Sequence, residues 1–247
     1  MKLDVLAVGA HPDDVELGCG GTLALLARAG RRVGILHLTR GERGTRGTPE
    51  ERLAEAERAA EALGASDLAF LDCGDGGLRT GEEEEDALIE VLRAWRPDLV
   101  LSPTPHDRHP DHTRAHRLVE SACFYSGLRE RGHPAKDREP HRPAAVFSFM
   151  QHDPFEPSFI VDVTATWEVK RLALAAYRSQ LYQASAGGEE ARAAPPTKIA
   201  SPEFSLMVEG RARHFGILVG GAYGEPFWSR LPLAVADPFL ILPGGVR

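Results

Sequence analysis

Four short apolar segments alternate with longer amphipathic segments in the first half of the chain. The apolar segments lie at residues 3–8, 33–38, 68–71 and 99–101, and each has the length of a buried β-strand. Strands and helices that alternate at this spacing predict parallel strands joined by right-handed crossovers. We therefore expect an α/β fold: a Rossmann-like, doubly wound and mostly parallel sheet with helices on both faces.

Capping signals support two of the predicted helices. Thr48-Pro49-Glu50-Glu51 combines a capping threonine, a proline at the first helical position and a glutamate that can complete a capping box. This predicts a helix over 49–63 that ends before Gly64. Thr80-Gly81-Glu82-Glu83 repeats the pattern and predicts a helix that ends near Trp95.

The second half of the chain is less regular. Its patterns predict strands over 145–150 and 159–163, a helix over 167–181, and a helix from a cap at Ser201 to Phe215. Residues 127–143 and 184–196 predict loops, and the second is our candidate for a mobile surface loop. Because no linker separates the halves, we expect one domain over 1–247. It would have a Rossmann-like core over 1–125 and an elaborated C-terminal part over 126–247.

Composition and charge narrow the class of protein. Of the 247 residues, 43% are hydrophobic and 26% are charged, as in ordinary soluble globular proteins. The formal net charge is −7 and no lysine-rich run occurs, so we expect neither nucleic acid nor an anionic membrane as a partner. Three scattered cysteines argue against a disulfide framework or a thiolate metal site. The apolar N-terminal stretch is too short for a signal peptide or a membrane span, and we expect a cytoplasmic protein.

The segment after the first predicted strand, AHPDDVELGCGG from Ala10 to Gly21, carries the most distinctive chemistry. A dinucleotide-binding fold would have a phosphate-binding loop here, but the carboxylates of Asp13, Asp14 and Glu16 would repel a pyrophosphate. His11 and Asp14 instead offer an imidazole nitrogen and a carboxylate oxygen. This mixture suits Zn²⁺ or a similar divalent ion.

A second motif, Asp107-Arg108-His109-Pro110-Asp111-His112-Thr113, follows the fourth predicted strand, and Thr113 is our predicted helix start. Strands one and four are neighbours in the usual doubly wound order, so the two loops are expected to meet at one edge of the sheet. His11, Asp14 and His112 then form a possible three-residue site. Two histidines and one carboxylate leave a coordination position for water, which is typical of catalytic zinc.

Other interpretations remain open at this point. His112 could pair with His116 at helical spacing, or His106 with His109, although we rank both lower. Either motif alone is also typical of an ordinary turn; the combination at two strand ends favours a metal site. Four further histidines are expected to be surface or packed residues: His37, His133, His141 and His214. Three glycines are expected to permit tight packing after the first motif: Gly18, Gly20 and Gly21.

The two motifs together resemble the signature of the PIG-L/LmbE-type zinc-dependent N-deacetylases, which remove acetyl from N-acetylglucosamine conjugates. Further segments resemble the bacillithiol-biosynthesis branch, which acts on N-acetylglucosaminyl-malate. They lie at 47–52, 75–78, 149–162, 177–180 and 221–227. The resemblance covers most of the chain.

The resemblance implies roles for individual residues. His11, Asp14 and His112 would bind zinc, and Asp13 would be the general base. His109, when protonated and oriented by Asp111, would stabilise the oxyanion and help to protonate the departing amine. Arg52 would anchor the malate carboxylates. The remaining substrate-binding candidates are Arg108, Gln151, His152 and Arg211.

The resemblance also implies a cofactor and a partner. The cofactor would be Zn²⁺, although the same ligands accept other divalent transition metals. The substrate would be a small-molecule N-acetylglucosamine conjugate, and the protein would be a homo-oligomer, such as the hexamers of related enzymes. A deacetylase of an inositol-linked, lipid-linked or chitooligosaccharide substrate is the close alternative. A non-catalytic metal- or sugar-binding module is the distant one.

Overall fold

One seven-stranded sheet organises the computed structural model, which describes residues 2–132, 138–182 and 196–237. The spatial order of the strands is β3-β2-β1-β4-β5-β7-β6. Their bounds are β1 Val5–Gly9, β2 Val33–His37, β3 Asp67–Phe70, β4 Leu99–Ser102, β5 Ala145–Phe149, β6 Phe159–Asp162 and β7 Gly224–Trp228. Strands β1 to β5 pair in parallel, and β7 pairs antiparallel with β5 and β6. The predicted α/β fold is confirmed.

Six α-helices of the described chain cover the two faces of this sheet. Their bounds are α1 Asp14–Arg28, α2 Pro49–Leu63, α3 Glu82–Trp95, α4 Pro110–Tyr125, α5 Trp167–Ala176 and α6 Pro202–Leu218. Alternate residues of β1 point to opposite faces. Val5 and Ala7 join a core with α1, α2, α5 and α6, whereas Leu6 and Val8 join a core with α3 and α4.

Strand β1 lies between β2 and β4, in parallel register with both. Val5 pairs with Val33 on one side and with Leu99 on the other. The carboxyl ends of β1 and β4 therefore lie at the same edge of the sheet, as the doubly wound order predicts. The loops that follow these two strands are adjacent.

The predicted helix starts are partly correct. Thr48 Oγ1 accepts the Glu51 N–H (3.2 Å) and Glu51 Oε2 accepts the Thr48 N–H (2.8 Å), so the capping box before α2 is confirmed. The predicted cap at Thr80 is wrong by one residue, because the N–H of Gly81 donates to Glu84 Oε2 (3.1 Å) and α3 begins at Glu82.

Three expectations for the remaining elements need correction. Helix α4 begins at Pro110 rather than Thr113, with His109 as its cap. Helix α5 ends at Ala176 rather than 181, because Tyr177 leaves the helical conformation and Ser179 donates both its N–H and its hydroxyl to Glu55 of α2 (2.7 Å each). Strand β7 was not predicted, since its five residues include a proline and a buried glutamate.

Some expectations fall on residues outside the described ranges. The loop predicted at 184–196 lies almost entirely there, as does His133.

The predicted cap of α6 at Ser201 is confirmed, because its hydroxyl accepts the Phe204 N–H (3.2 Å).

None of the helices that the structure describes has both the length and the apolar character that a membrane span requires.

Glycine allows α1 to pack closely on the sheet. A Cβ atom at Gly18 would lie 2.1 Å from the Phe149 ring, and one at Gly21 would lie 2.9 Å from Val163. These positions confirm the predicted packing role. At Gly20 the nearest atom would be 3.5 Å away, which is ordinary contact.

We expect Gly18→Ala to lower the free energy of unfolding by about 1–3 kcal/mol, because the added methyl group overlaps the Phe149 ring. Gly210 in α6 is the matched control, since a Cβ there would have no neighbour within 4 Å. Gly210→Ala should leave stability unchanged or raise it by up to about 1 kcal/mol. Urea unfolding of both variants measures the difference. Equal unfolding free energies for Gly18→Ala and the wild type would contradict the packing assignment.

Candidate metal centre

The loops after β1 and β4 bring three imidazoles together. His11 follows β1, while His109 and His112 lie at the start of α4. The ring centroids are 4.9 Å apart for His11 and His109, 5.7 Å for His11 and His112, and 4.7 Å for His109 and His112. One nitrogen from each ring lies within 4.8 Å of the others. The predicted convergence of the two motifs is confirmed.

Asp14, in the first turn of α1, bridges the imidazoles of His11 and His112. Its Oδ2 lies 3.5 Å from His11 Nδ1, and its Oδ1 lies 3.1 Å from His112 Nε2. The side chain is 5% exposed. Burial would raise the pKa of Asp14, but His112 and His11 outweigh this effect and hold the pKa well below its ordinary value. The structure thus brings together the three predicted metal ligands.

Carboxylates also contact the second ring nitrogen of His112 and of His11, on the side away from Asp14. His112 Nδ1 lies 3.0 Å from Asp107 Oδ1. His11 Nε2 lies 3.1 Å from Asp75 Oδ1 and 3.4 Å from Asp111 Oδ2. In the neutral ring, the form that binds a metal, a carboxylate at one nitrogen holds the proton there and leaves the other nitrogen with a lone pair. In this arrangement His11 Nδ1 and His112 Nε2 face Asp14.

The electrostatics of the cluster favour a positive charge between the two imidazoles. Burial would lower the pKa of His112, but Asp14 and Asp107 raise it to about 9. Burial would likewise lower the pKa of His11, yet its hydrogen bonds with Asp111, Asp14 and Asp75 raise it well above the ordinary value. A divalent cation bound by nitrogen and oxygen would satisfy the same excess of negative charge. The residues therefore fit a metal ion.

Asp13 lies next to this cluster in a strained conformation. It has a left-handed φ of 99°, which is rare outside glycine, and it occupies the cap position of α1. Its Oδ2 is buried without a hydrogen-bond partner in the described part of the chain, and the nearest cation is Arg52 Nη2 at 3.8 Å. Burial raises the pKa of Asp13 to about 7, although Arg52 opposes the shift. Asp13 is thus a buried carboxylate with one oxygen that lies near Arg52 but accepts no hydrogen bond from the described residues.

His109 caps α4 with its ring. Its Nδ1 accepts the N–H of Asp111 (3.2 Å), so in the neutral ring the proton resides on Nε2. Burial and the nearby rings of His11 and His112 lower the pKa of His109. The expectation of a protonated His109 is corrected, because the lowered pKa favours the neutral ring, which can still donate a hydrogen bond from Nε2.

Asp111 makes contacts other than those we expected. Its carboxylate lies against His11 Nε2 and accepts from the N–H of Leu78 (3.1 Å) and from Arg114 Nη1 (3.1 Å). Only its backbone N–H holds His109. The expectation that the Asp111 side chain orients His109 is corrected, because the carboxylate sits at the back of His11.

Arg52 and Arg211 were predicted to bind substrate, but both donate to backbone carbonyls. Arg52 is 5% exposed and donates to the carbonyls of Pro12 (2.8 Å) and Gly41 (3.0 Å). Arg211 donates to the carbonyl of Gln151 and to that of Leu17 (3.2 Å). Arg52 thus holds the loop after β1 by hydrogen bonding, and Arg211 connects α1 to the loop after β5.

The other predicted substrate residues surround the centre. Gln151 Nε2 donates to Asp14 Oδ1 (2.6 Å), and its Oε1 is buried without a hydrogen-bond partner among the described residues. The His152 ring stacks on His112 with centroids 5.6 Å apart. Arg108 is exposed. Gln151 and His152 therefore contact the centre from the loop after β5, whereas Arg108 is an exposed residue of the loop after β4.

His116 and His106, the alternative partners of His112 and His109, lie outside this cluster. His116 Nδ1 is 3.0 Å from the Pro103 carbonyl and its Nε2 is 3.4 Å from Glu120. Neither His116 nor His106 belongs to a potential metal-binding group within the described residues. The buried His37 ring is 3.1 Å from the His11 carbonyl, and His141 is 2.8 Å from that of Pro97, as expected of packed residues.

Sequence reasoning missed two carboxylates, Asp75 and Asp107. Both belong to potential metal-binding groups, Asp75 with His11 and Asp111, and Asp107 with His112 and His152. A positional signal was present for Asp75, because it follows β3, whose carboxyl end lies at the same edge of the sheet. Asp107 stands within the second motif itself.

We expect the metal-free protein to lose stability between pH 6.5 and 9. The folded-state pKa of His112, about 9, exceeds its ordinary value. The stabilising contribution of His112 to the free energy of unfolding is therefore complete below pH 6.5 and is lost as the pH rises through 9. Burial raises the pKa of Glu16 to about 8, and this shift acts in the same direction. In urea unfolding with a chelator, the wild type should lose on the order of 1–3 kcal/mol more than His112→Gln over this interval. Equal losses would contradict the raised pKa.

Comparisons with known proteins agree with this geometry. The model of the family PIG-L, described as GlcNAc-PI de-N-acetylase, matches residues 6–123, which include all three predicted metal ligands. Diacetylchitobiose deacetylase of Thermococcus kodakarensis is 35% identical over 190 residues, covering 71% of this chain and 69% of that protein. The 4-oxalmesaconate hydratase of Pseudomonas putida is 30% identical over 186 residues, covering 68% of this chain and 70% of that protein.

A solved structure supports the relationship over nearly the whole chain. A conserved protein from Thermus thermophilus superposes with a TM-score of 0.84 at 39% identity, covering 96% of this chain and 98% of that chain. The fold, the paired loops and the sequence similarity over two thirds of a curated relative lead to the same assignment. This chain belongs to the PIG-L family.

Proposed function

We propose that this protein is a metal-dependent hydrolase that removes the N-acetyl group from an N-acetylglucosamine conjugate. One observation carries the proposal: His11, Asp14 and His112 converge beside a buried carboxylate oxygen of Asp13 that accepts no hydrogen bond from the part of the chain that the structure describes. The family description and the diacetylchitobiose deacetylase relative supply the substrate class.

We assign the metal ion to His11, Asp14 and His112. Zn²⁺ is our first choice because two imidazoles and one carboxylate are typical zinc ligands, although other divalent transition metals accept the same set. When bound, Zn²⁺ supplies Lewis acidity, which polarises the amide carbonyl and makes water more acidic at neutral pH. Asp107 and Asp75 fix the orientation of His112 and His11 from behind. Asp111 supports His11 in the same way.

Asp13 is the general base in this proposal. Asp13 Oδ2, which accepts no hydrogen bond from the described residues, accepts the proton of the attacking water. Burial, which raises the pKa of Asp13 to about 7 in the metal-free protein, increases the affinity of the carboxylate for that proton. Arg52 holds the preceding Pro12 carbonyl and lies 3.8 Å from Asp13 Oδ2, so it keeps the carboxylate in place. Arg52 thus serves catalysis by positioning Asp13.

His109 stabilises the amide oxygen as it becomes negatively charged. Because Nδ1 is occupied by the Asp111 N–H, the ring presents Nε2–H to the reacting group. A donor of this kind contributes most when it is fixed before the reaction, and the position of His109 as the cap of α4 fixes it.

The choice of sugar conjugate rests on the resemblance of further segments of the sequence to the bacillithiol-biosynthesis branch. We propose N-acetylglucosaminyl-malate, the substrate of bacillithiol biosynthesis, as the first candidate. Arg108, Gln151 and His152 are the residues proposed to contact it. Inositol-linked, lipid-linked and chitooligosaccharide conjugates are the alternatives. We further propose that the protein is cytoplasmic and works as a homo-oligomer.

A second candidate function is hydration of an unsaturated polycarboxylate such as 4-oxalmesaconate. It is favoured by one specific observation: the chain covers 70% of the relative that is named 4-oxalmesaconate hydratase. A non-catalytic metal- or sugar-binding module fits less well, because it gives no role to the buried oxygen of Asp13.

We expect Asp13→Asn to bind Zn²⁺ like the wild type but to lose turnover by about 10²–10⁴-fold, because asparagine cannot accept the proton. His112→Ala is the matched control, and it should lose the metal as well as the activity. Metal content after dialysis and initial rates separate the two effects. Full activity in Asp13→Asn would remove this residue from the role of base.

We expect the Zn²⁺-loaded protein to release acetate and a free amine from N-acetylglucosaminyl-malate faster than from inositol-linked or chitooligosaccharide conjugates. Mass spectrometry of parallel incubations, with Asp13→Asn as the inactive control, gives the comparison. A preference for an uncharged conjugate would overturn the malate assignment but keep the deacetylase. Hydration of 4-oxalmesaconate, without acetate release from any conjugate, would overturn both.

A further inference from the structure

Helix α1, which begins with Asp14, is interrupted at Cys19. The backbone there has φ −142° and ψ 18°, outside the helical range. The break separates a short segment, residues 14–18, from a longer one, residues 20–28. Such a break leaves carbonyls at the end of the first segment and amides at the start of the second without helical partners.

Glu225 of β7 caps the second segment. Its Oε1 accepts the N–H of Gly21 (2.9 Å), and its Oε2 accepts the N–H (2.7 Å) and the hydroxyl (2.6 Å) of Thr22. A carboxylate at this point also interacts favourably with the positive end of the helix dipole. A Cβ at Gly21 would lie 3.1 Å from Oε1, so glycine allows this close approach.

Lys170 of α5 links the two segments. Its Nζ lies 2.6 Å from Glu225 Oε1 and donates to the carbonyl of Leu17 in the first segment (2.9 Å). Both charged side chains are 3% exposed. Apolar residues could fill such a space without loss of stability, whereas this ion pair satisfies the polar groups on both sides of the break.

Arg211 of α6 connects the first segment to the metal centre. Nη2 donates to the same Leu17 carbonyl (3.2 Å), and Nη1 donates to the carbonyl of Gln151. Gln151 in turn donates from its side chain to Asp14 Oδ1 (2.6 Å). One guanidinium therefore holds both the end of the segment that carries Asp14 and the residue that contacts its carboxylate.

We propose that Arg211, Lys170 and Glu225 are positioning residues for the metal centre. By fixing the break in α1, they set where Asp14 lies relative to the imidazoles of His11 and His112. All three come from the second half of the chain, beyond the residues that the family model matches. The inference rests on the proposed function for the identity of the metal ligands, and its test measures metal affinity without any substrate.

The principal variant is Arg211→Lys, which keeps the positive charge but loses the planar group that reaches two carbonyls. We expect the Kd for Zn²⁺ to rise about 10–100-fold and kcat to fall by a similar factor, with KM nearly unchanged. Arg93→Lys is the matched control. Arg93 is a buried arginine of α3 that donates to the carbonyls of Ser126 and Leu128, with no contact to the metal centre in the described structure. It should lower Tm while leaving Zn²⁺ affinity and kcat unchanged.

Glu225→Gln is the second variant, in case Arg211→Lys does not fold. It keeps the shape of the side chain but places an amide donor against the N–H groups of Gly21 and Thr22, and it should weaken Zn²⁺ binding as well. Wild-type Zn²⁺ affinity in a folded variant would overturn the proposal. So would a raised KM with unchanged Zn²⁺ affinity, which would make Arg211 a substrate contact. If Arg93→Lys weakened Zn²⁺ binding as much as Arg211→Lys, the loss of affinity would reflect general stability, and the proposal would be overturned.

The same titrations separate this inference from the proposed function. If the wild type binds Zn²⁺ but deacetylates no conjugate, the proposed function fails while the Zn²⁺ affinities still decide the positioning role. If it deacetylates and Arg211→Lys binds Zn²⁺ like the wild type, only the positioning role fails. A wild type without affinity for Zn²⁺ would overturn both.

Discussion

Four aspartates concentrate negative charge around two imidazoles in the interior of this protein. Asp14 lies between His11 and His112, and the other three carboxylates contact the far sides of the rings: Asp75, Asp107 and Asp111. Charges in such an environment interact more strongly than in water, and an uncompensated one is costly. The carboxylates raise the pKa values of both histidines, so in the metal-free protein the imidazoles hold protons that compensate part of this charge. A cation can replace those protons, and the fold around the site serves to keep the carboxylates where this exchange is possible.

The sequence predicted the parallel part of the sheet and the meeting of the two motifs, but not strand β7 and its antiparallel pairing. Both predictions follow from one rule, that parallel strands with crossovers place their carboxyl ends at one edge, and β1 and β4 obey it. His11, Asp14 and His112 could be named in advance because their chemistry stands in the loops that this rule brings together. Asp75 was missed since its loop follows β3, which lies two strands away from β1.

Contacts between distant parts of the chain account for most of the remaining errors. Arg52 carries the same guanidinium whether it binds a substrate or a backbone carbonyl, and only the approach of Pro12 and Gly41 decides between them. The break in α1 is similarly hidden, because Glu225, which caps it, lies about 200 residues later in the sequence. Local patterns predict helices and their caps; they do not predict which side chain will reach a helix from another element.

The central location of β1 has a consequence for how the site opens. This strand is hydrogen-bonded on both sides, and the Gly9 carbonyl at its end accepts the N–H of Leu38 (2.9 Å). Central strands exchange their amide hydrogens through the largest unfolding events, whereas peripheral elements open separately. His11 stands two residues beyond β1, so fraying at the outer strands β3 and β6 would leave its backbone anchored. If a metal ion binds at His11, its release would therefore not require the sheet to unfold.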